Sequence, residues 1–254
     1  MTHQVAAGSD ALFTAVLRGD EDAVVALLGS GVSAETTDED DQTALHLAAV
    51  QDQPGIVRRL LAAGADPNRG SGPQAGELPL CGAAIWGHAE TVRALLEAGA
   101  RPNSREEFGG TALLGAVEGG HAATADVLLR FGADSELAPE QGVSPVVAAV
   151  RRGSPAVVRV LLEHGVSEPG QRVALTEARR WLDRDVAEDL HTELVRTHGE
   201  GHRAVTRREA GPGGVETVVV ELLRNDEPFA GMERETGHRT IAALLEEALG
   251  ERTG

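Results

Sequence analysis

Pairs of adjacent leucines recur along the chain at nearly constant intervals. The pairs stand at Leu27-Leu28, Leu60-Leu61, Leu95-Leu96, Leu128-Leu129 and Leu161-Leu162, at intervals of 33, 35, 33 and 33 residues. A glycine follows each pair at one fixed distance, at Gly31, Gly64, Gly99, Gly132 and Gly165. Five copies in the same register predict an internal structural repeat.

Each copy has the pattern of two short helices and a loop. In the clearest copy the first helix covers residues 44–49, and Thr43 can cap its amino end. Another copy places Pro79 at the first helical position, where the N–H has no helical partner to lose. The second helix carries apolar residues at helical spacing, as at Val92 and Leu95, and the following glycine ends it. The pattern predicts a stack of helix pairs.

The pattern changes after residue 170. Residues 173–195 keep a helix-turn-helix rhythm, in which Leu175 takes the place of an apolar residue of a first helix. Val186 and Leu190 take the corresponding places in a second helix. Atypical end units are expected in stacked repeats, because no further unit covers the last apolar face. We therefore expect a degenerate sixth unit here.

Residues 196–254 follow a different pattern. Two runs, at 202–209 and 215–223, have strand composition and are joined by AGPGG, which predicts a β-hairpin. The segment RNDEPFAGMERE is expected to be a polar loop. Residues 236–250 have the spacing of a second repeat helix, including its Gly-His and Leu-Leu pairs. We expect the hairpin and helix either to cap the repeats or to form a small accessory module.

Three segments carry a resemblance to a known family: TALHLAA at 43–49, LPLCGAAIWGHAETVRALLEAGA at 78–100 and GHAATADVLLRFGAD at 120–134. They resemble the ankyrin repeat, whose period is about 33 residues and whose signature is T-P-L-H-x-A. The match covers residues 10–168 as five units, and ankyrin-repeat proteins of this kind are common in actinobacteria. The resemblance implies an all-α ankyrin-repeat solenoid with a small C-terminal cap of β-hairpin and helix.

The resemblance also sets the expected domain boundaries. The solenoid is expected at 1–195 and the capping or accessory segment at 196–254. The repeats are expected near residues 10–37, 38–70, 73–105, 106–138, 139–170 and, in degenerate form, 173–195.

The composition narrows the classes of protein that fit. Aromatic residues make up 2% of the chain, so the core must consist mainly of Ala, Leu and Val, which suits closely packed helices. The net charge is −17, from 40 acidic and 23 basic residues, and every basic residue is arginine. This charge repels nucleic-acid phosphates and attracts a basic partner, although solubility alone is the simpler interpretation. The bias toward Arg, Ala, Gly and Val suggests a GC-rich bacterial genome.

The sequence shows no targeting pattern. No basic segment followed by an apolar run opens it, and no apolar stretch reaches the roughly 18 residues that a membrane span needs. The lone cysteine, Cys81, cannot form an internal disulfide. We expect a soluble cytoplasmic protein that has no membrane partner and is monomeric when free.

No motif supports catalysis or metal binding. The HExxH zinc motif, a Cys/His cluster, the P-loop and the G-x-S-x-G elbow are missing. His198 and His202 stand four residues apart in a glycine-rich linker, and Cys81 occupies an interior repeat position. We therefore expect no catalytic site, no metal and no cofactor.

The resemblance implies where a partner binds, because ankyrin proteins use their loop tips and the first-helix face that lines a groove. The predicted contact residues are Glu39, Asp40, Gln42, Gln51, Glu77, Ile85, Trp86, Glu107, Phe108, Glu118, Arg151 and Arg152. Trp86 and Phe108 are aromatic, and exposed aromatics are common hot spots. The alternative for Trp86 is packing against the neighbouring loop. An acidic early tip and a later pair of arginines predict a charge gradient along the groove.

Together these expectations describe a non-catalytic scaffold or adaptor that binds one specific cytoplasmic protein, with no nucleic-acid partner. Two alternatives stay open. One is an acidic inhibitor or immunity protein that masks a basic enzyme or toxin. The other is an accessory subunit of a biosynthetic enzyme, which would use residues 196–254.

Overall fold

The computed structural model describes residues 2–106, 109–140, 142–182, 186–211 and 215–250. The chain divides into two compact units, Met1–Pro145 and Val146–Gly254. No helix in the described ranges is both long and apolar enough to cross a membrane.

The first unit consists of four successive pairs of helices. They are α1 (Thr2–Leu17), α2 (Glu21–Gly29), α3 (Ala44–Val50), α4 (Pro54–Ala62), α5 (Pro79–Ile85), α6 (Ala89–Glu97), α7 (Ala112–Glu118) and α8 (Ala122–Arg130). The predicted cap at Thr43 is confirmed, because its side chain accepts a hydrogen bond from the His46 N–H. Thr111 caps α7 in the same way. The helix pairs predicted from the leucine period are therefore present.

Equivalent helices of successive pairs pack on each other. The first helices form the series α1, α3, α5, α7, and the second helices form the series α2, α4, α6, α8. In α4, α6 and α8 the first leucine of the pair, Leu60, Leu95 or Leu128, is completely buried. Small residues allow the first helices to approach closely: a Cβ added at Gly82 of α5 would lie 2.9 Å from the Val50 side chain of α3. The core is thus continuous from pair to pair.

Polar side chains join each loop to the next repeat. Asn68 donates from Nδ2 to the Gly99 carbonyl and accepts from the Arg101 N–H. Asn103 makes the same two contacts with Gly132 and Asp134. These amides satisfy backbone groups that a helix end leaves without a partner. They therefore fix the spacing between repeats.

Histidines at the start of second helices make another repeated contact. His88 Nε2 lies 3.0 Å from the carbonyl oxygen of Val50, at the end of the first helix of the preceding repeat. His121 Nε2 lies 3.2 Å from the carbonyl oxygen of Ile85, the equivalent position one repeat later. A histidine of this kind marks the second helix of a repeat.

The second unit combines further helices with a small sheet. Its elements are α9 (Pro145–Arg152), α10 (Pro155–Glu163), α11 (Glu168–Leu182), α12 (Val186–His198), β1 (Arg203–Ala210), β2 (Glu216–Arg224), β3 (Glu227–Glu235) and α13 (His238–Ala248). The strands form an antiparallel sheet in the order β1-β2-β3. The helical solenoid is therefore accompanied by a sheet, and an all-α class is too narrow for this chain.

The sheet has one strand more than the predicted hairpin. The expected polar loop RNDEPFAGMERE forms the turn after β2 and the strand β3. Asn225 and Asp226 both have positive φ, at 55° and 65°, as a tight hairpin turn requires. Ala230 and Met232 alternate along β3 and pack on the buried core beneath the sheet. The spacing of Ala230 and Met232, two residues apart, is the sequence signal for a strand that the interpretation as a loop did not take into account.

The α12 helix packs on this sheet. Val186, Leu190 and Leu194 of α12 form one buried cluster with Val218, Val220 and Leu222 of β2. The sequence-based interpretation placed Val186 and Leu190 in the second helix of a sixth repeat, and the observed cluster assigns them instead to a core shared with strands. The reason is that an apolar stripe at helical spacing fits a sheet as well as a neighbouring helix.

The α13 helix takes the position of a second repeat helix. It packs along α11 and also contacts α10. Its first residue, His238, follows a glycine, as His88 and His121 do, and the Gly237 N–H donates to the carbonyl oxygen of Gly153, which follows α9. His238 also stacks on Trp181 of α11, with ring centroids 5.1 Å apart. The helix pair α11 and α13 therefore has the contacts of one repeat, and residues 186–235 are inserted between its two helices.

If α13 completes a repeat, its buried leucine should matter as much as a core leucine elsewhere. Leu245 is completely buried. We expect Leu245→Ala to lower the free energy of unfolding by about 2–4 kcal/mol, because it leaves a cavity. Urea unfolding followed by circular dichroism measures this change. Glu247→Ala, an exposed position of the same helix, is the matched control, and equal effects of both substitutions would contradict the packing.

The buried ring of His238 should make stability depend on pH. Burial lowers its pKa from the ordinary value of 6.5, and the nearby Arg234 lowers the pKa further, whereas the Val150 backbone and Glu177 oppose the shift. Protons therefore bind more readily to the unfolded chain, so stability should fall as the pH drops below 6.5. We expect the free energy of unfolding of the wild type to fall more than that of His238→Gln between pH 7 and pH 5, as measured by urea unfolding at each pH. Parallel curves for the two proteins would show that His238 does not contribute.

Candidate partner-binding surface

Three short hairpin loops precede the first helices α3, α5 and α7. Each is closed by an isolated bridge between two residues: Thr37 with Thr43, Ser71 with Glu77, and Arg105 with Thr111. The bridges recur at the same spacing, so the loop tips form a row along the first unit. We call the described residues of these loops, at 38–42, 72–77, 106 and 109–110, the tip row.

The first tip is strongly acidic and well ordered by its own hydrogen bonds. Asp38 Oδ1 accepts from the backbone N–H groups of Asp40 and Gln42 at 3.0 and 2.9 Å. The side chains of Glu39, Asp40 and Asp41 are exposed. Four adjacent carboxylates on one loop give this end of the tip row a concentrated negative charge.

The next tip contributes to an acidic cleft of about 500 Å³. Its walls include Ser71, Gln74, Glu77 and Glu106. Glu106 accepts a hydrogen bond from the Leu78 N–H, and burial together with the nearby Glu77 raises its pKa. The cleft thus holds two carboxylates that repel each other. The sequence prediction included Glu77 but not Glu106, because nothing local distinguishes Glu106 from its neighbour at 107.

A second row of predicted residues lies at the carboxyl ends of the first helices. Gln51 ends α3, Ile85 and Trp86 end α5, and Glu118 ends α7. Trp86 is 64% exposed and Ile85 is 53% exposed. Such exposure disfavours the alternative that Trp86 merely packs on a neighbouring loop. We call these positions the helix-end row.

The helix-end row extends toward α1 through residues outside the predicted set. Leu17 ends α1 at the position equivalent to Ile85 and is 59% exposed. Val50 holds the same position in α3 and is half-buried. Leu17, Val50 and Ile85 therefore form an apolar stripe across three successive first helices.

The two rows lie at opposite ends of the same helices. Each tip comes before its first helix, and each helix-end residue follows it after seven residues. A helix of seven residues is about 10 Å long. The predicted site in the first unit thus consists of the acidic tip row and the apolar helix-end row, which are separated by the length of one short helix.

Four predicted residues fall outside this arrangement. Glu107 and Phe108 lie outside the described residues. Arg151 and Arg152 belong to the second unit, where Arg151 forms an ion pair of 2.9 Å with Glu177. The charge gradient expected between the acidic tip and these arginines remains a prediction.

Two buried residues of the first unit, His46 and Cys81, carry groups that could in principle react. Burial lowers the pKa of His46, and its Nε2 lies 3.4 Å from Glu77. Burial and the nearby Glu106 raise the pKa of the Cys81 thiol, so it is protonated at neutral pH and a poor nucleophile. Within the described ranges, no group of three or more His, Cys, Asp and Glu is arranged to hold a metal.

Comparison with known proteins agrees with this geometry. A family model described as three copies of the ankyrin repeat matches residues 2–71 and 80–172. A search of curated proteins found no match. The matched segments contain the helix pairs of the first unit, apart from Pro79 at the start of α5, and the hairpin loops closed by Thr37 with Thr43 and by Arg105 with Thr111. Most of the loop closed by Ser71 with Glu77 lies between the two segments. The chain belongs to the ankyrin-repeat family.

Proposed function

We propose that this protein is a non-catalytic scaffold or adaptor that binds one specific cytoplasmic protein through its first-helix face. Ankyrin repeats are generally protein–protein interaction modules and are typically non-catalytic. The observation that carries the proposal here is the exposure of Ile85 and Trp86 beside each other on a well-packed helix. An exposed tryptophan next to an aliphatic side chain has the composition of an interface hot spot.

The partner in this proposal has a basic surface beside an apolar one. Its apolar side chains would cover the stripe of Leu17, Val50 and Ile85, and its basic side chains would face the tip row. The cleft at Glu77 and Glu106 supports this orientation, because a lysine or arginine placed there would relieve the repulsion between two carboxylates. The net charge of −17 would also speed the approach of a basic protein.

A second candidate function is an acidic inhibitor of a basic enzyme or toxin. The observation that favours it is the run of exposed carboxylates at 38–41, which could cover a basic active site. The two candidates differ in a measurable way. A captured partner that is an enzyme and loses activity in stoichiometric complex supports the inhibitor, whereas unchanged activity supports the adaptor.

The helix-end row should carry most of the affinity. We expect Trp86→Ala to weaken binding of the captured partner by about 30-fold, equivalent to about 2 kcal/mol. The experiment is affinity capture from native lysate, followed by calorimetric titration of the captured protein. Phe131→Ala removes another exposed aromatic, at the end of α8, and should leave affinity unchanged. Equal affinities of wild type and Trp86→Ala would place binding on another surface.

The acidic tip should act mainly on the rate of association. We expect the double substitution Glu39→Arg and Asp40→Arg to slow association about tenfold at low salt, with little effect at high salt. Asp38 is left intact, because it holds the loop through two hydrogen bonds. Asp22→Arg with Glu97→Arg changes the net charge equally at exposed sites on second helices. Stopped-flow association rates decide the question, and an equal slowing by both pairs would mean that only net charge matters.

A further inference from the structure

The β1 strand forms one edge of the sheet in the second unit. It pairs with β2 over eight residues in a regular register, from Arg203 opposite Leu223 to Ala210 opposite Glu216. No strand of the described residues pairs with its other edge. Five of its side chains are exposed, those of Arg203, Thr206, Arg207, Arg208 and Glu209. A long regular edge of this kind is able to pair with another strand.

The opposite edge of the sheet has features that prevent such pairing. The pairing of β2 with β3 contains a register shift at Leu222 and Leu223, which leaves Phe229 as an extra residue on β3. Pro228 of β3 lacks the N–H that a ladder needs. Bulges and prolines are the usual protection of edge strands. The β1 edge has neither, so the two edges differ in their capacity to bind a strand.

Charged side chains could also protect an edge, but those of β1 are neutralised within the sheet. Arg203 pairs with Asp226, Arg207 with Glu221 and Arg208 with Glu216, at 2.9, 2.8 and 2.8 Å. The arginines therefore do not present three uncompensated positive charges. The α12 helix leaves this side open as well, because it packs over β2 and β3.

The sequence of β1 is complementary to itself in one register. Opposed residues of an antiparallel pair point to the same face, so a twofold axis between two β1 strands must pass through a residue position. When the axis passes through Thr206, Thr206 of one copy lies opposite Thr206 of the other. Arg203 of each copy then faces Glu209 of the other. Opposite charges and paired threonines each stabilise such a contact by a few tenths of a kcal/mol to about 1 kcal/mol.

The neighbouring registers bring like charges together. An axis at Val205 places Arg203 opposite Arg207 twice, and an axis at Arg207 or Arg208 places that arginine opposite its own copy. An axis at Ala204 shortens the overlap. The Thr206 register pairs seven of the eight residues of β1 and sets Arg203 opposite Glu209. The Arg207 register is as long but has no opposite charges facing each other, and the Arg208 register sets Arg207 opposite Glu209 but pairs only five residues.

We propose that two copies of this protein associate through their β1 strands, in the register centred on Thr206, to form one continuous six-stranded antiparallel sheet. The contact uses one strand of eight residues from each copy, fewer than the roughly 20–30 residues a side of a standard stable interface, so the dimer forms only at high concentration. The protein at low concentration is then monomeric, in keeping with the sequence-based expectation. The dimer would present two ankyrin surfaces from one particle.

Substitutions that reverse the charges of Glu209 and Arg203, which lie opposite each other across the axis, test the register. Sedimentation velocity of the full chain from about 5 to about 500 µM should show the mass rising from 26.5 kDa toward twice that value. Glu209→Arg should weaken association at least about tenfold, because the altered pair occurs twice in the dimer. The double substitution Arg203→Glu with Glu209→Arg restores opposite charges and should return the dissociation constant to within about threefold of wild type.

Controls separate this contact from damage to the fold. Glu233→Arg makes the same change on β3, at the protected edge, and should leave association unchanged. Circular dichroism melting should be similar for all variants, since the Arg203–Asp226 pair is largely exposed and contributes little. A protein that stays monomeric at every concentration overturns the proposal. A dimer that Glu209→Arg leaves intact, or that the double substitution does not restore, also overturns it.

Discussion

The first unit depends on the fact that a single helix pair cannot bury its own apolar face. Leu60, Leu95 and Leu128 are completely buried because the second helix of one repeat covers that of the next. The small residues of the first helices, such as Gly82, allow the same approach on the other side. Hydrogen bonds from Asn68, Asn103, His88 and His121 then fix the repeat spacing, because each satisfies backbone groups of an adjacent repeat. The regular spacing of the tip row follows from this stacking.

The same constraint explains why the rows of the candidate surface are regular. Residues at equivalent repeat positions become neighbours in space only because the repeats stack at constant spacing. Leu17, Val50 and Ile85 lie far apart in sequence and yet form a stripe for this reason. Leu17 and Ile85 are more than half exposed, whereas Val50 is half-buried and also packs against Gly82 of α5. The ends of the stripe are therefore accessible to a partner, and its middle also contributes to the packing between repeats.

The second unit shows how a repeat can accept an insertion. The contacts of α13 with α10 and α11 and the stack of His238 on Trp181 complete a helix pair. In the sequence, 55 residues lie between Leu182 at the end of α11 and His238 at the start of α13. The insertion folds around its own core, from Val186 to Leu222, so it need not disturb the helix pair. A module with a separate core and an open strand edge adds an interaction surface that the repeats themselves do not have.

The sequence by itself determined the helix pairs, their caps and the family, because these depend on residues close together or on a constant period. It also placed the tip row and the helix-end row, since equivalent positions in a repeat are neighbours. Only the tertiary structure decided which helix pairs with α11, because α12 and α13 both carry an apolar stripe at helical spacing. It likewise decided that EPFAGMERE is a strand, since only the second edge of β2 and the core below it favour pairing over a loop. The exposure of Trp86 and the half-burial of Glu106 were also tertiary results, because burial depends on neighbours that are distant in the chain.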